Sequence, residues 1–179
     1  MVSPEGRATF QIRRLEPDDD RTAFRSGNVD LDRFFIRYAG QNQFRHHVGV
    51  TYVAADGASI HGFVTVAAAS IETPGLSARA RKRLPAYPLP VLRLARLAVG
   101  VQARGQGVGD LLLRAALELA LSMQEALGCV GVLVDAKPEA IGFYERYGFE
   151  RIDVDEGASP VRPQPAPMFL PLGAVPGTA

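Results

Sequence analysis

Residues 91–109 read Val-Leu-Arg-Leu-Ala-Arg-Leu-Ala-Val-Gly-Val-Gln-Ala-Arg-Gly-Gln-Gly-Val-Gly. The apolar run from Val91 to Val99 is a buried strand by pattern, and it enters a turn in which Gly105, Gly107 and Gly109 remove side chains. Backbone N–H groups can then approach an anion at the positive end of the helix that follows. The spacing is neither G-x-G-x-x-G nor G-x-x-x-x-G-K-[ST]. Downstream, Val108, Leu111, Leu112, Ala115, Leu119, Met123 and Ala126 mark a helix of about five turns that stops at Gly128. A strand, a side-chain-free turn and a long helix together suit a pyrophosphate. Taken alone, the turn also fits a mere joint between elements.

A second segment, Lys137-Pro-Glu-Ala-Ile-Gly-Phe-Tyr-Glu-Arg-Tyr-Gly-Phe149, predicts a short helix with Phe143 and Tyr147 one turn apart and Gly148 as its stop. Read by itself, Tyr144 is equally a core residue. The two segments together, in this order, resemble the GNAT acetyltransferases: Arg104, Gly107 and Gly109 match the R/Q-x-x-G-x-G/A signature, and residues 140–149 match A-x-x-F-Y-x-x-x-G-F. The resemblance implies an α/β (α+β) fold with a mixed central sheet flanked by helices, in one domain over residues 8–172. Residues 1–7 and 173–179 are expected as flexible ends. It also implies acetyl-CoA as co-substrate, held by Leu97, Ala98, Val99, Arg104, Gly105, Gln106, Gly107, Val108, Gly109, Asp110, Phe143 and Tyr147. Tyr144 is then the acid that protonates the departing thiolate.

Around these motifs the chain reads β-α-β-β-(α)-β-α-β-α-β-β. Ala8–Leu15 is a strand. Residues 29–44 place Leu31, Phe34, Phe35, Tyr38 and Ala39 at helical spacing behind an Asn28 cap. The Asp56-Gly57 turn joins strands 48–55 and 59–71 as a hairpin. Ser77 caps a short helix, and Pro85, Pro88 and Pro90 hold an extended approach to the central strand. Cys129–Val134 is an apolar strand closed by Asp135-Ala136. Phe149–Val154 and Met168–Leu172 are the last two strands, joined by a proline-containing loop.

Bulk properties narrow the chemistry. The 179 residues suit one domain, and 20 Lys plus Arg against 19 Asp plus Glu make no global case for a polyanionic partner. The single Cys129 excludes an internal disulfide and suits a reducing cytoplasm. His46, His47 and His61 have no Cys/His/Asp companions at metal-ligand spacing, so no metal is expected. No signal core or membrane-length apolar run is present, and a cytoplasmic protein is expected.

Phe24-x-Ser-Gly-x-x-x-Leu-Asp-x-Phe-x-x-x-Tyr, Leu94–Val99, Leu133–Ala136 and Pro167–Leu172 are similar, more narrowly, to the GNAT toxins of type II toxin–antitoxin modules. That resemblance implies aminoacyl-tRNA as substrate, acetylated on its α-amino group so that translation stalls, and a ribbon-helix-helix antitoxin as partner; a homodimer is compatible with it. Gly100 departs from a common aspartate, Arg104 from the usual glutamine and Phe34-Phe35 from a frequent tryptophan. Arg33, Arg37, Arg79, Arg81, Lys82, Arg83, Arg93 and Arg96 are the candidates for gripping tRNA phosphates, set against a reading as solvated or paired charges. Arg96, inside an apolar strand, calls for a partner: a carboxylate, the coenzyme or the substrate.

No carboxylate lies in the central strand, and Asp135 is the acid nearest the expected mouth of the sheet. An α-amine, with a reference pKa of about 7.7–8.0, leans less on a general base than a lysine at about 10.4. Two alternatives remain at this stage: a GNAT enzyme acting on a small or protein amine, and a non-catalytic coenzyme A sensor.

Overall fold

The computed structural model describes residues 9–72, 76–82, 84–152 and 165–174. Arg83, Asp153, Val154, the proline-containing loop up to Gln164 and both expected flexible ends, apart from Gly173 and Ala174, lie outside the described residues. Seven strands pair in the order β1-β2-β3-β4-β5-β7-β6, the mixed sheet expected from the element order. They are β1 Gln11–Arg14, β2 Val50–Asp56, β3 Ser59–Ile71, β4 Leu89–Val99, β5 Gly131–Ala136, β6 Glu150–Arg151 and β7 Ala166–Pro171. The chain forms two compact units, Met1–Val66 with Arg96–Ala116, and Ala67–Ala95 with Leu117–Ala179.

In the first unit, β1 and β3 flank β2 in antiparallel register. Gly57 turns the hairpin at φ 58°, as its aspartate–glycine pair predicts. The β2–β3 register slips between Ala54 and Ala55, so His61 becomes the extra residue of a bulge. Its carbonyl accepts from the Gly100 amide at 2.7 Å. Helix α1 covers residues 29–46 and is capped as expected, with Asn28 Oδ1 accepting from the Asp30 and Leu31 amides at 3.1 Å each.

Its winding differs from the expected 3.6-residue period. After Val29–Arg33 it widens to a π-helix at Phe34–Tyr38 and again at Asn42–His46. The Arg21 guanidinium donates to the Phe35 carbonyl at 2.8 Å, supplying a partner to the first widened turn. Gly40 leaves room for that guanidinium, since a Cβ there stands 2.9 Å from Arg21 Nη2. One consequence corrects the core assignment: Phe34, Phe35 and Ala39 are buried, but Tyr38 is 46% exposed. Phe24, Phe34, Phe35 and Phe63 form the centre of this unit's core, with the Phe35 and Phe63 rings stacked at 4.4 Å. Each such buried ring contributes on the order of 1.5–3 kcal/mol.

In the second unit, β4 pairs in parallel with β5 over Leu92–Leu94 and Val132–Val134, and β7 pairs antiparallel with both β5 and β6. Helix α2 is the short Ala78–Arg81. β5 begins two residues later than expected. Cys129 instead lies buried ahead of it, its thiol donating to the Gly131 carbonyl at 3.3 Å, and burial pushes that thiol's pKa up. Gly131 is required by volume, because a Cβ there stands 2.5 Å from the Leu170 carbonyl oxygen. Ile71, Leu76, Leu89, Val91, Ile152 and Phe169 form this unit's core.

Helix α3, Val108–Ala126, links the two units in sequence. Its most buried residues are Val108, Leu112, Leu113, Ala116 and Ala120. Val108 and Leu112 are on the expected face, while Leu111, Ala115 and Leu119 are only partly buried and Leu113, Ala116 and Ala120 are buried beside them. Gly128, at φ 100°, stops it, with its amide and that of Leu127 both donating to the Met123 carbonyl. Helix α4, Ile141–Glu145, follows the 3-10 turn Pro138–Ala140.

Candidate active site

The first unit carries the glycine turn. From Leu97, Ala98 and Val99 at the end of β4 the chain passes Gly100 and the 3-10 turn Val101–Ala103 to Arg104. Gly105 and Gly107 both sit at φ 78°, and a Cβ built on either meets nothing within 4 Å. These glycines are therefore required by backbone conformation and not by space. The Gln106 side-chain amide folds back and donates to the Gln102 carbonyl at 3.2 Å. α3 makes its first backbone bond from the Leu111 amide to the Gly107 carbonyl. The amides ahead of it have no intrahelical acceptor, and they lie at the positive end of a helix of 19 residues. Asp110 stands in that first turn. A side-chain-free cradle opening on such amides fits a pyrophosphate, and so fits the coenzyme.

The expectation for Arg104 concerns its backbone amide, and its side chain turns away from the cradle. Its Nη2 donates back to the Ser26 carbonyl at 2.6 Å. Arg96 is exposed on β4, with its guanidinium 3.8 Å over the Phe34 ring, a contact other than the carboxylate, coenzyme or substrate its strand position suggests. Arg33 and Arg37 lie on α1 and line an open groove of about 390 Å³ with Thr22, Arg25, Val29, Asp32 and Ile36.

The second unit carries the tyrosine. Tyr144 is 4% exposed and stands edge-on to Phe143 at 5.2 Å and to Phe149 at 5.3 Å. Burial drives its phenol well above the ordinary tyrosine pKa, so the proton stays on oxygen throughout the neutral range. The amides of Tyr147 and Phe149 both donate to the Tyr144 carbonyl, and Gly148 at φ 91° makes that closure possible. Tyr147 also packs on Phe143 at 5.6 Å, while Arg146 lies 5.8 Å from the Phe143 ring.

Arg93 and Asp135 meet at 2.8 Å, both about half exposed. Asp135 is thereby an ion-pair partner instead of the lone acid that its position in the sequence suggests. Arg79, Arg81 and Lys82 are exposed on and just after α2. Arg83 lies outside the described residues. Among the described residues no group of three His, Cys, Asp or Glu is gathered as for a metal, and no helix is long and apolar enough to cross a membrane.

The sequence placed Ser26 and Asp32 in the motif that begins at Phe24 but gave neither a role. The Ser26 amide and hydroxyl both donate to Asp32 Oδ1, at 2.9 and 2.6 Å, fastening the loop before α1 to its first turn. The motif holds the two residues six apart, and a spacing alone gives no hydrogen-bond partner.

Amides gathered at a helix head without side chains in the way suit a large anion, and a phenol kept protonated suits the delivery of a proton. Residues 47–151 match the family model described as acetyltransferase (GNAT) domain. The chain is 33% identical over 139 residues to a tRNA-acetylating toxin of Mycobacterium tuberculosis (strain ATCC 25618 / H37Rv), covering 77% of this chain and 82% of that one. Its fold superposes on AtaT complexed with acetyl-methionyl-tRNAfMet with a TM-score of 0.81, at 23% identity over 93% of this chain and 96% of that one. A mutant AtaT toxin bound to the C-terminus of the antitoxin AtaR and acetyl-CoA gives 0.73, at 22% identity over 92% and 94%. The chain belongs to the GNAT acetyltransferases, and it is an N-acetyltransferase that uses acetyl-CoA.

Proposed function

We propose that this acetyltransferase is the toxin of a toxin–antitoxin pair and acetylates the α-amino group of aminoacyl-tRNA in the cytoplasm. The observation that carries the reading is the 33% identity, across most of both chains, to a tRNA-acetylating toxin. The buried Tyr144, in the element where the family's tyrosine is expected, supports it. Residues 97–99 and the amides of residues 104–109 hold the coenzyme, with Asp110, Phe143 and Tyr147 beside it. Acetyl-CoA, when bound, supplies the activated acetyl group.

The amine nitrogen bonds to the acetyl carbon, the carbon–sulfur bond breaks, and Tyr144 gives its phenolic proton to the leaving sulfur. The amine's own proton passes to water, and Tyr144 takes a proton back from solvent before the next turnover. An α-amine near pKa 7.7–8.0 offers a far larger neutral fraction than a lysine at about 10.4, so the reaction proceeds with Asp135 occupied by Arg93. The partners in this reading are aminoacyl-tRNA, a ribbon-helix-helix antitoxin and a second copy of the chain. The coenzyme-binding domain occupies residues 8–172.

With acetyl-CoA and a complete pool of charged tRNA, the protein is expected to label the amino end of the aminoacyl group and to leave free amino acids unlabelled. Efficient acetylation of a small amine with none on charged tRNA overturns the reading. Neutralising Arg79, Arg81, Lys82 and Arg83 together is expected to raise the KM for tRNA and flatten its salt dependence. Every phosphate left without its cation changes the slope of log affinity against log salt by about 0.7–0.9. Wild-type KM at every ionic strength moves the tRNA grip to Arg33 and Arg37.

A further inference from the structure

The coenzyme turn and the start of α1 are stitched together at two points. The Val101 amide donates to the Arg25 carbonyl at 2.9 Å, and Arg104 Nη2 donates to the Ser26 carbonyl at 2.6 Å. The next residue, Gly27, is at φ 89°, and a Cβ on it stands 2.7 Å from the same Nη2. The loop is built to admit the guanidinium. Its other end is tied just as closely to the helix. Ser26 donates through its amide and its hydroxyl to Asp32, the Asn28 amide donates to Ser26 Oγ at 3.2 Å, and Asn28 caps Asp30 and Leu31. α1 then presents Arg33 and Arg37 along the open groove, together with Arg25 from the loop itself.

We propose that Arg104 is a positioning residue: its guanidinium fixes the arch 25–28, and through it the first turn of α1 and the arginine groove, while only its backbone serves the coenzyme. The groove is thereby set at the same angle to the glycine turn in every molecule in which the turn is formed. The link to nucleic acid rests on the aminoacyl-tRNA reading; the link between Arg104 and the arch does not. A guanidinium is suited to this role because its planar fork and permanent charge make a short, directional bond to a carbonyl.

The test uses the whole chain with Arg104→Gln. Amide hydrogen exchange at Asp30 and Leu31 is expected to accelerate by about tenfold or more, since a charge-assisted bond to the arch is lost. Acetyl-CoA affinity by calorimetry stays within about threefold of wild type, and the KM for charged tRNA rises by about tenfold with a smaller change in kcat. Asp32→Ala, which breaks the arch from the helix side and leaves the glycine turn intact, is expected to give the same exchange and KM pattern.

Coenzyme affinity falling by tenfold or more in Arg104→Gln, with exchange at Asp30 and Leu31 unchanged, assigns the guanidinium to the pyrophosphate and overturns the proposal. An Asp32→Ala protein with a loosened α1 and wild-type tRNA KM also overturns it, because the arch then positions nothing. If wild-type protein fails to acetylate tRNA, the substrate reading falls. Exchange and calorimetry still decide the role of Arg104.

Discussion

Tyr144→Phe is expected to retain the fold and acetyl-CoA binding and to lose acetyl transfer by about 10²–10⁴ in rate, the usual worth of a positioned general acid. The substitution removes one oxygen and its proton. The ring contacts with Phe143 and Phe149 persist, so a fall in turnover without a fall in thermal stability isolates the proton. Burial holds the phenol above its ordinary pKa of about 10. The acid is therefore fully charged with its proton from pH 6 to 9, and its loss contributes no slope to the rate there. The linkage runs the same way: a folded-state pKa raised above the unfolded one leaves stability flat below about pH 10 and lowers it as pH climbs beyond. The phenylalanine variant lacks that alkaline decline. If it turns over at wild-type rate across pH 6–9, Tyr144 is a packing residue and the proton comes from elsewhere. In a bacterium, induced expression of wild type is expected to arrest growth and the variant to relieve the arrest.

Gly107→Val is expected to weaken acetyl-CoA binding by at least tenfold in calorimetry. A β-branched residue cannot hold φ 78° without a penalty of roughly 1–2 kcal/mol or more. Relief of that strain rotates the very amides that face the anion. A Cβ at 107 meets no atom, so the loss is one of backbone direction and the rest of the protein is left standing. Gly142→Ala is the matched control. A Cβ there also meets nothing within 4 Å, but φ lies outside the left-handed range and the site is helical, so stability is expected to rise by about 0.5–1 kcal/mol. Undiminished affinity in Gly107→Val removes the pyrophosphate from this turn.

Features that depend on neighbours in the chain were legible in the sequence. The Asn28 cap, the Asp56-Gly57 hairpin, the extent of α3 and the stops at Gly128 and Gly148 follow from side chains acting within a few residues of themselves. What depends on distant partners was not. The π windings of α1 involve Arg21, fourteen residues from the carbonyl it takes, and a 3.6-residue template places Tyr38 inside when the widened turn puts it out. The same holds for charges. Asp135 looked like a free acid because Arg93 lies 42 residues away, and the carbonyl that the Arg104 side chain takes was out of view because Ser26 lies 78 residues away. Motifs identify which residues matter to the turn; only the fold says which way a long side chain leaves it.

Two glycines that would look alike as invariant columns in a library of selected variants have opposite histories in the molecule. At Gly131 a methyl group runs into the Leu170 carbonyl, so variants there are expected to vanish from the soluble fraction. At Gly107 a variant survives as a folded protein without its chemistry. If the proposed antitoxin partner exists, a cell carrying such a variant is expected to make a decoy: a protein that retains its outer surface and competes with any active copy for that partner.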